Sequence, residues 1–487
     1  MRRWLPDVDP LRPDVWTSLS NMMPTASGTY VTTPQWASAA EITGLSSPGT
    51  LTDAWATQIV DGTGKLFCGT TTKLWGLTSG GAATDLSDAG NYTATNGWSF
   101  CQYGNITIAC TKTDATQARD SSGASAFADL TGSPPKASIC CVQTDAVVLF
   151  DYNGGTDTPD GWWASDVGDY TTWTPASSNV AANGRLRETP GKITAAVPFG
   201  DDIIVFKERG IYRMTYVGRP EIWLTPLIRG DLGASSRYNV VMCGDHIAFW
   251  GTSGGWLFDG SNFTPISDGV KNTLGTGSTG SSCYVPHCRT IIWQGLASYN
   301  MISQAWGTYP NVLKVGTGNP STFKLIAGGF NAINAVFNAA DRNKPAATGL
   351  SLFGVSFADA DIYVGTEWAN STASQSATIA TGAFGIGGDI DTRFGRIMPR
   401  WRNTLSRSSN AASTEMFATV TLYDNPELGS GTAQSAVQSS SAQKRFDQMT
   451  TAKYAKVSFS NVSGLAFASK SFELDDVDWA MNKAGTT

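Results

Sequence analysis

The feature that most constrains this 487-residue chain is a recurrence of short strand-like runs, each closed by turn residues, in groups that begin roughly 40–55 residues apart. One group holds residues 55–60, 65–69, 72–77 and 83–86, and later groups open at 98, 137, 192, 238 and 283. A seventh is formed by residues 323–330 and 350–355. The group from 238 shows the pattern best. Its hairpin punctuation is Cys243-Gly244-Asp245, Thr252-Ser253-Gly254-Gly255 and Asp259-Gly260-Ser261-Asn262. Between these turns Ile247 alternates with Phe249, and Trp256 with Phe258, the period of a strand with a buried face. Four short strands repeated at this interval are the unit of a propeller blade. A β-sandwich with the same strand count is the alternative.

The length exceeds what one hydrophobic core usually fills, so a repeat array or several cores are expected. Charged residues make up only 15%, against about a quarter in an average domain. Glycine (52 residues), serine and threonine fill the difference, which suits turns and half-buried strands. The expected fold is therefore all-β: a β-propeller-like repeat domain followed by a C-terminal β-sandwich domain. We expect an N-terminal arm at 1–50, the propeller at 51–365, a Ser/Thr/Ala/Gly-rich loop or insertion at 366–388, and the sandwich at 389–487. Residues 331–340 fit a short helix or a strand equally well.

The net charge of −6 is unevenly spread. Residues 1–190 hold 10 Lys and Arg against 18 Asp and Glu, a balance of −8, and the remainder balances at +2. An acidic half argues against tight nucleic-acid binding, which needs cations against phosphate. The densest basic run is Arg393, Arg396, Arg400, Arg402 and Arg407. It is either a solvated strand face or a docking surface for an acidic partner, such as the acidic part of a neighbouring subunit. The start, Met1-Arg2-Arg3-Trp4-Leu5-Pro6, lacks the apolar stretch of a secretion signal, and no apolar run reaches the length of a membrane span. The eight cysteines sit mostly in strand-like runs, as buried free thiols do.

No motif with the context of a catalytic site emerges, and the chain is expected not to be an enzyme and to carry no cofactor. Gly251-Thr252-Ser253-Gly254-Gly255 has the spacing of a hydrolase elbow, but Trp256-Leu257-Phe258 reads as a strand where the elbow needs a helix. The two histidines are His246, beside Asp245, and His287, between Cys283 and Cys288 in a spacing unlike a zinc site. Gly275-Thr276-Gly277-Ser278-Thr279-Gly280 matches a dinucleotide loop without room for the helix that loop must open. Asp201-Asp202 and Asp475-Asp476 are tandem acids at strand edges, a usual place for solvated carboxylates. Ser165-Asp166-Val167-Gly168-Asp169-Tyr170-Thr171-Thr172-Trp173 approaches the Asp-box turn of sialidase-like propellers, with its spacing off by one at each end.

Several segments together resemble the tail nozzle proteins (tail hub, tail tubular B-type) of short-tailed bacteriophages. They are Asn21-Met22-Met23-Pro24-Thr25 with Gly28-Thr29-Tyr30, the stretch from Trp162-Trp163 to Thr172-Trp173, and the run from Ile204 to Met214. Phe249-Trp250-Gly251, the run from Gly255 to Gly260, and Pro265-Ile266 continue the order. The resemblance implies a virion protein made in the host cytoplasm and assembled as a homo-oligomeric ring, a hexamer, below a tail adaptor protein. It also implies contacts with tail fibres and genomic DNA passing through the ring. A glycan-binding or glycan-cleaving receptor-binding propeller is the alternative function.

Overall fold

The computed structural model describes residues 2–12, 14–33, 35–88, 90–275, 281–286, 288–308, 323–328, 330–337, 352–366, 377–385, 392–403, 416–424, 431–433, 437–439, 446–460 and 472–483. Among the described residues seven antiparallel sheets follow one another along the chain, six of four strands and the fourth of five, with strands in sequential order but for the last sheet. The first is Leu51–Gln58, Gly64–Thr70, Leu74–Leu77 and Ala83–Asp85. The fifth is Val240–Met242, Ile247–Gly251, Gly254–Phe258 and Phe263–Pro265. The first strands of successive sheets lie beside one another around an axis, and the short, exposed fourth strands form the rim. This is a seven-bladed β-propeller.

The middle of a blade's second strand is apolar because both of its faces are covered. In the fifth blade Ile247 and Phe249 pack toward the fourth blade, against Ile204, Phe206 and Ile211. The intervening Ala248 and Trp250 pack the other way, against Ile291 and Trp293 of the sixth. The third blade does the same: Val147 and Leu149 face the second blade, Val148 and Phe150 the fourth. Each strand thus feeds two inter-blade cores with the period of two that alternating side chains impose.

The seventh blade is discontinuous. Lys324–Leu325, Leu352–Ser356 and Asp361–Thr366 supply three strands, and the fourth is Gln35–Glu41 from the N-terminal region. Ser38 Oγ donates to Asp361 Oδ1 at 2.6 Å across this pairing. The ring closes onto the first blade through two main-chain bonds, Ala56 N–H to the Ala327 carbonyl and Ala327 N–H to the Ala54 carbonyl, both 2.8 Å. Gly328 follows with φ +131°, where a Cβ would stand 2.3 Å from the Ala56 carbonyl oxygen, so only glycine fits this seam. Between the seventh blade's first two strands, Phe330–Val336 forms a short helix, resolving the helix-or-strand alternative.

The remaining strands make two sheets of a β-sandwich. One contains Arg3–Trp4, Val15–Ser20, Thr378–Thr381, Tyr454–Ser460 and Met416–Tyr423. The other contains Met22–Pro24, Tyr30–Thr32, Phe472–Lys483, Thr392–Asn403 and Phe446–Ala452. Residues 1–50, expected as an arm, therefore supply strands to both sandwich sheets and to the propeller. Residues 366–388, expected as a loop, include the strand Thr378–Thr381, which joins Val15–Ser20 to Tyr454–Ser460. The sandwich and blades five and six share one continuous core, in which Trp250, Trp293 and Trp306 lie with ring centroids 5.5–6.3 Å apart.

Candidate functional site

The sequence candidates separate in space. His246 and Ser253 stand at opposite ends of Ile247–Gly251, roughly 17 Å of extended chain, so they form no nucleophile–base pair. Ser253 Oγ accepts the Trp256 indole N–H at 3.2 Å, in a hairpin that continues into the strand Gly254–Phe258. His246 Nδ1 lies 2.7 Å from Asp245 Oδ1, a contact that holds the Asp245 carboxyl below its ordinary range. Asp202 accepts from Thr215 Oγ1 at 2.5 Å, a cross-strand role. In the 165–173 turn, Asp169 accepts from the Thr171 N–H and from the Thr171 and Thr172 hydroxyls, which pulls its carboxyl below the usual range. These are turn-stabilising bonds. His287 and residues 276–280 lie outside the described residues, and the chain that follows the glycine motif enters the strand Ser282–Val285.

Arg393, Arg396, Arg400 and Arg402 all fall on the strand Thr392–Asn403, while Arg407 lies outside the described residues. That strand is internal, paired on one side with Phe472–Lys483 and on the other with Phe446–Ala452. In register, Arg400 stands opposite Asp476, Arg402 opposite Glu473 and Arg396 opposite Asp447. The tandem acid Asp475-Asp476 belongs to the first of those neighbours.

The structure brings together a different set on the propeller axis. A turn at Arg237–Asn239, leading into the fifth blade, crosses toward the other blades. Arg237 Nη2 donates to Asp53 Oδ2 of the first blade at 3.0 Å, and Nη1 to the Ser138 carbonyl of the third at 3.2 Å. Asp53 also accepts the Tyr238 hydroxyl at 2.9 Å and the main-chain N–H of Trp98, which leads into the second blade, at 2.8 Å. Trp293 of the sixth blade donates its indole N–H to the Asn239 carbonyl at 3.3 Å, and Lys324 of the seventh lies 5.8 Å from the Tyr238 ring centre. One three-residue turn thus touches the first, third, sixth and seventh blades directly and reaches the start of the second through Asp53. Burial penalises the Arg237 charge, yet Asp53 and Tyr238 outweigh it and raise its pKa, so it stays protonated. Burial and the Asp53 charge push the Tyr238 phenol well above its ordinary value. The sequence carried one signal for this cluster: Asp53 is the single charged residue of the strand Leu51–Gln58.

Two cavities adjoin these elements. One, of about 370 Å³, is lined by the innermost strands of blades two to four and by Arg237. The other, of about 790 Å³, lies where the N-terminal strand Arg3–Trp4 meets blades five and six, with Arg3, Asp245, His246, Asp259, Tyr284 and Arg289 among its walls.

No family model and no curated protein matches this sequence. Solved structures similar to it include BamB from Moraxella catarrhalis, at 12% identity and a TM-score of 0.38 over 70% of this chain and 90% of that one. YCF48 from Cyanidioschyzon merolae is similar at 13% identity and a TM-score of 0.40, over 68% of this chain and 98% of that one. The computationally designed Ika8 protein is similar at 10% identity and a TM-score of 0.38, over 68% and 99%. The class is defined by the ring of seven sheets among the described residues, six of four strands and one of five: it is a β-propeller protein, here fused to a β-sandwich.

Proposed function

We propose that this chain is a structural component of a phage virion, the nozzle of a short tail. In this reading copies of it form a ring around the DNA exit path, six by the resemblance noted above, bound by a tail adaptor and by tail fibres. The observation that carries the proposal is the placement of opposite charges in different domains. Asp61, Asp88, Asp120, Asp129, Asp145 and Asp157 are exposed on blades one to three, whereas the arginine-bearing strand belongs to the sandwich. A ring built head to tail needs two different, complementary patches on one chain. The cross-braced axis bears on the route of DNA: a conduit would run between copies, not through a propeller. An acidic lumen lets DNA slide without holding it.

Native mass spectrometry and negative-stain microscopy of the purified protein test the proposal. The expected result is a closed ring with a central opening. A persistent monomer that hydrolyses glycans overturns it and favours the second reading, a glycan-binding or glycan-cleaving receptor-binding propeller. The polar 790 Å³ cavity between the domains is the observation on that side.

A further inference from the structure

The 370 Å³ axial cavity has a feature that assembly does not need. Cys101 of the second blade and Cys140 of the third both line it. Cys110 stands opposite Ser99 in the second blade, two residues from Cys101 along the partner strand, so the three side chains Ser99, Cys101 and Cys110 share one face. Cys140 projects onto that face, in the core formed with Cys101 and Cys110. Its side chain thus packs in one buried cluster with both of those thiols and shares a cavity wall with Cys101. It also donates to the Ser99 carbonyl at 3.4 Å and lies 3.7 Å from the Ser99 hydroxyl, while its main-chain N–H donates to that hydroxyl at 3.2 Å. All eight cysteines are free thiols.

The three sulfurs are not equivalent. Burial alone would raise the Cys140 pKa, but hydrogen bonds from Cys101, Cys110 and Ser99, with the nearby Arg237 charge, reverse this and hold it below the ordinary thiol value. Cys101 and Cys110 are pushed well above that value. Cys110 is fully enclosed, whereas Cys101 and Cys140 retain 6% and 5% of their surface. Among the described residues no group of His, Cys, Asp and Glu has the arrangement of a metal site.

We propose that Cys140 is a thiol-modification site of the propeller axis, which takes up a low-molecular-weight disulfide through the axial cavity and passes the oxidation to Cys101, linking blades two and three. In the first step the Cys140 thiolate attacks one sulfur of the disulfide. A Cys140–S–S–R bond forms, the R–S–S–R bond breaks, and one thiolate leaves. In the second, the Cys101 sulfur attacks Cys140 Sγ and expels the other thiolate, which takes the Cys101 proton. The two protein thiols are oxidised, one external disulfide is reduced to two thiols, and no further oxidant enters. The inference is independent of the tail reading, since it needs only the chain's own fold.

Oxidised glutathione is the test reagent, used on the folded full-length protein with Cys288, the one half-buried thiol among the eight, replaced by serine. Free thiols are then alkylated in denaturant and the peptides mapped by mass. The expected product is a Cys101–Cys140 link, two hydrogens lighter than the reduced pair. The Cys101→Ser variant should stop with one glutathione on Cys140, the Cys140→Ser variant should form neither product, and Cys110→Ser should link as the parent does. A thermal melt of each variant confirms that it is folded. Cys140 left unmodified in the folded protein, at a glutathione concentration that modifies it in urea, overturns the proposal. A Cys110–Cys140 link overturns the assignment of Cys101.

Discussion

Blades one to six and the seam built from the seventh blade and the sandwich solve the same packing problem in different ways. Each of the first six blades is a local meander built from consecutive strands of the chain. At the seam, Tyr30–Thr32 pairs with Phe472–Lys483, and Gln35–Glu41 with Asp361–Thr366, across more than 300 residues. Local pairing repays chain entropy as each hairpin forms. The seam closes very long loops before any contact rewards them. The N-terminal 41 residues thus act as a late-arriving stitch through both domains, while the first six blades carry their own instructions.

The contrast is tested most severely by removing residues 1–41. That deletion takes away four sandwich strands and the outer strand of the seventh blade. We expect no soluble protein with a single cooperative melt, read by gel filtration and calorimetry; a truncated chain that melts like the parent would show that the stitch is dispensable. Next in size is Trp250→Ala. Trp250 is fully buried between Trp293 and Trp306, where the blades meet the sandwich, and a large-to-small change of this kind costs about 3–5 kcal/mol. Denaturant unfolding should show that loss, with both domains destabilised together because the core is shared.

Arg237→Met tests the axis instead of the seam. It leaves the Asp53 carboxylate, only 8% exposed, without its cation, at a cost of about 3 kcal/mol. Asp53→Asn with Arg237→Met should recover part of it, because the uncompensated charge is then gone. Recovery measured by thermal melting would place the loss in the ion pair. Equal destabilisation of the single and double variants would place it in lost packing.

Much of this architecture was legible in the sequence, and the failures have physical reasons. The hairpin turns and alternating apolar residues of the fifth group become its four strands, and the weaker pair of runs at 323–330 and 350–355 falls in the seventh blade. What alternation could not reveal is that Ala248 and Trp250 are as buried as Ile247 and Phe249, since a strand covered on both faces shows no polar side. The strand Gln35–Glu41 was illegible because it is short and alanine-rich, and its partner is remote. The axial cluster was hidden for a similar reason. Asp53, Trp98, Ser138 and Arg237 are far apart in sequence, and none belongs to a motif. The arginine run was visible, but not the acidic residues set opposite it in register.

A single bond of the stitch can be isolated at Tyr30. The Tyr30 hydroxyl accepts the Trp4 N–H at 2.8 Å and donates to the Trp306 carbonyl at 3.1 Å, tying both sandwich sheets to the sixth blade. Tyr30→Phe leaves those two buried groups unpaired and should cost about 1–3 kcal/mol near neutral pH without changing shape. The pH dependence then separates this bond from simple packing. Burial pushes the Tyr30 phenol well above its ordinary value of 10.0, against a smaller lowering by the Trp4 N–H. A folded-state pKa above the unfolded one means that the contribution is complete below the unfolded value and is lost as pH rises toward the folded one. Above pH 10 the unfolded chain gains by ionising Tyr30 and the folded chain does not, so parent stability should fall by up to about 1.4 kcal/mol per pH unit from this group. Phenylalanine has no such proton. The gap between parent and Tyr30→Phe, measured by denaturant unfolding from pH 8 to pH 11, should therefore narrow as the solution becomes alkaline; a gap constant across that range would mean that the hydroxyl is not held neutral and bonded at the seam.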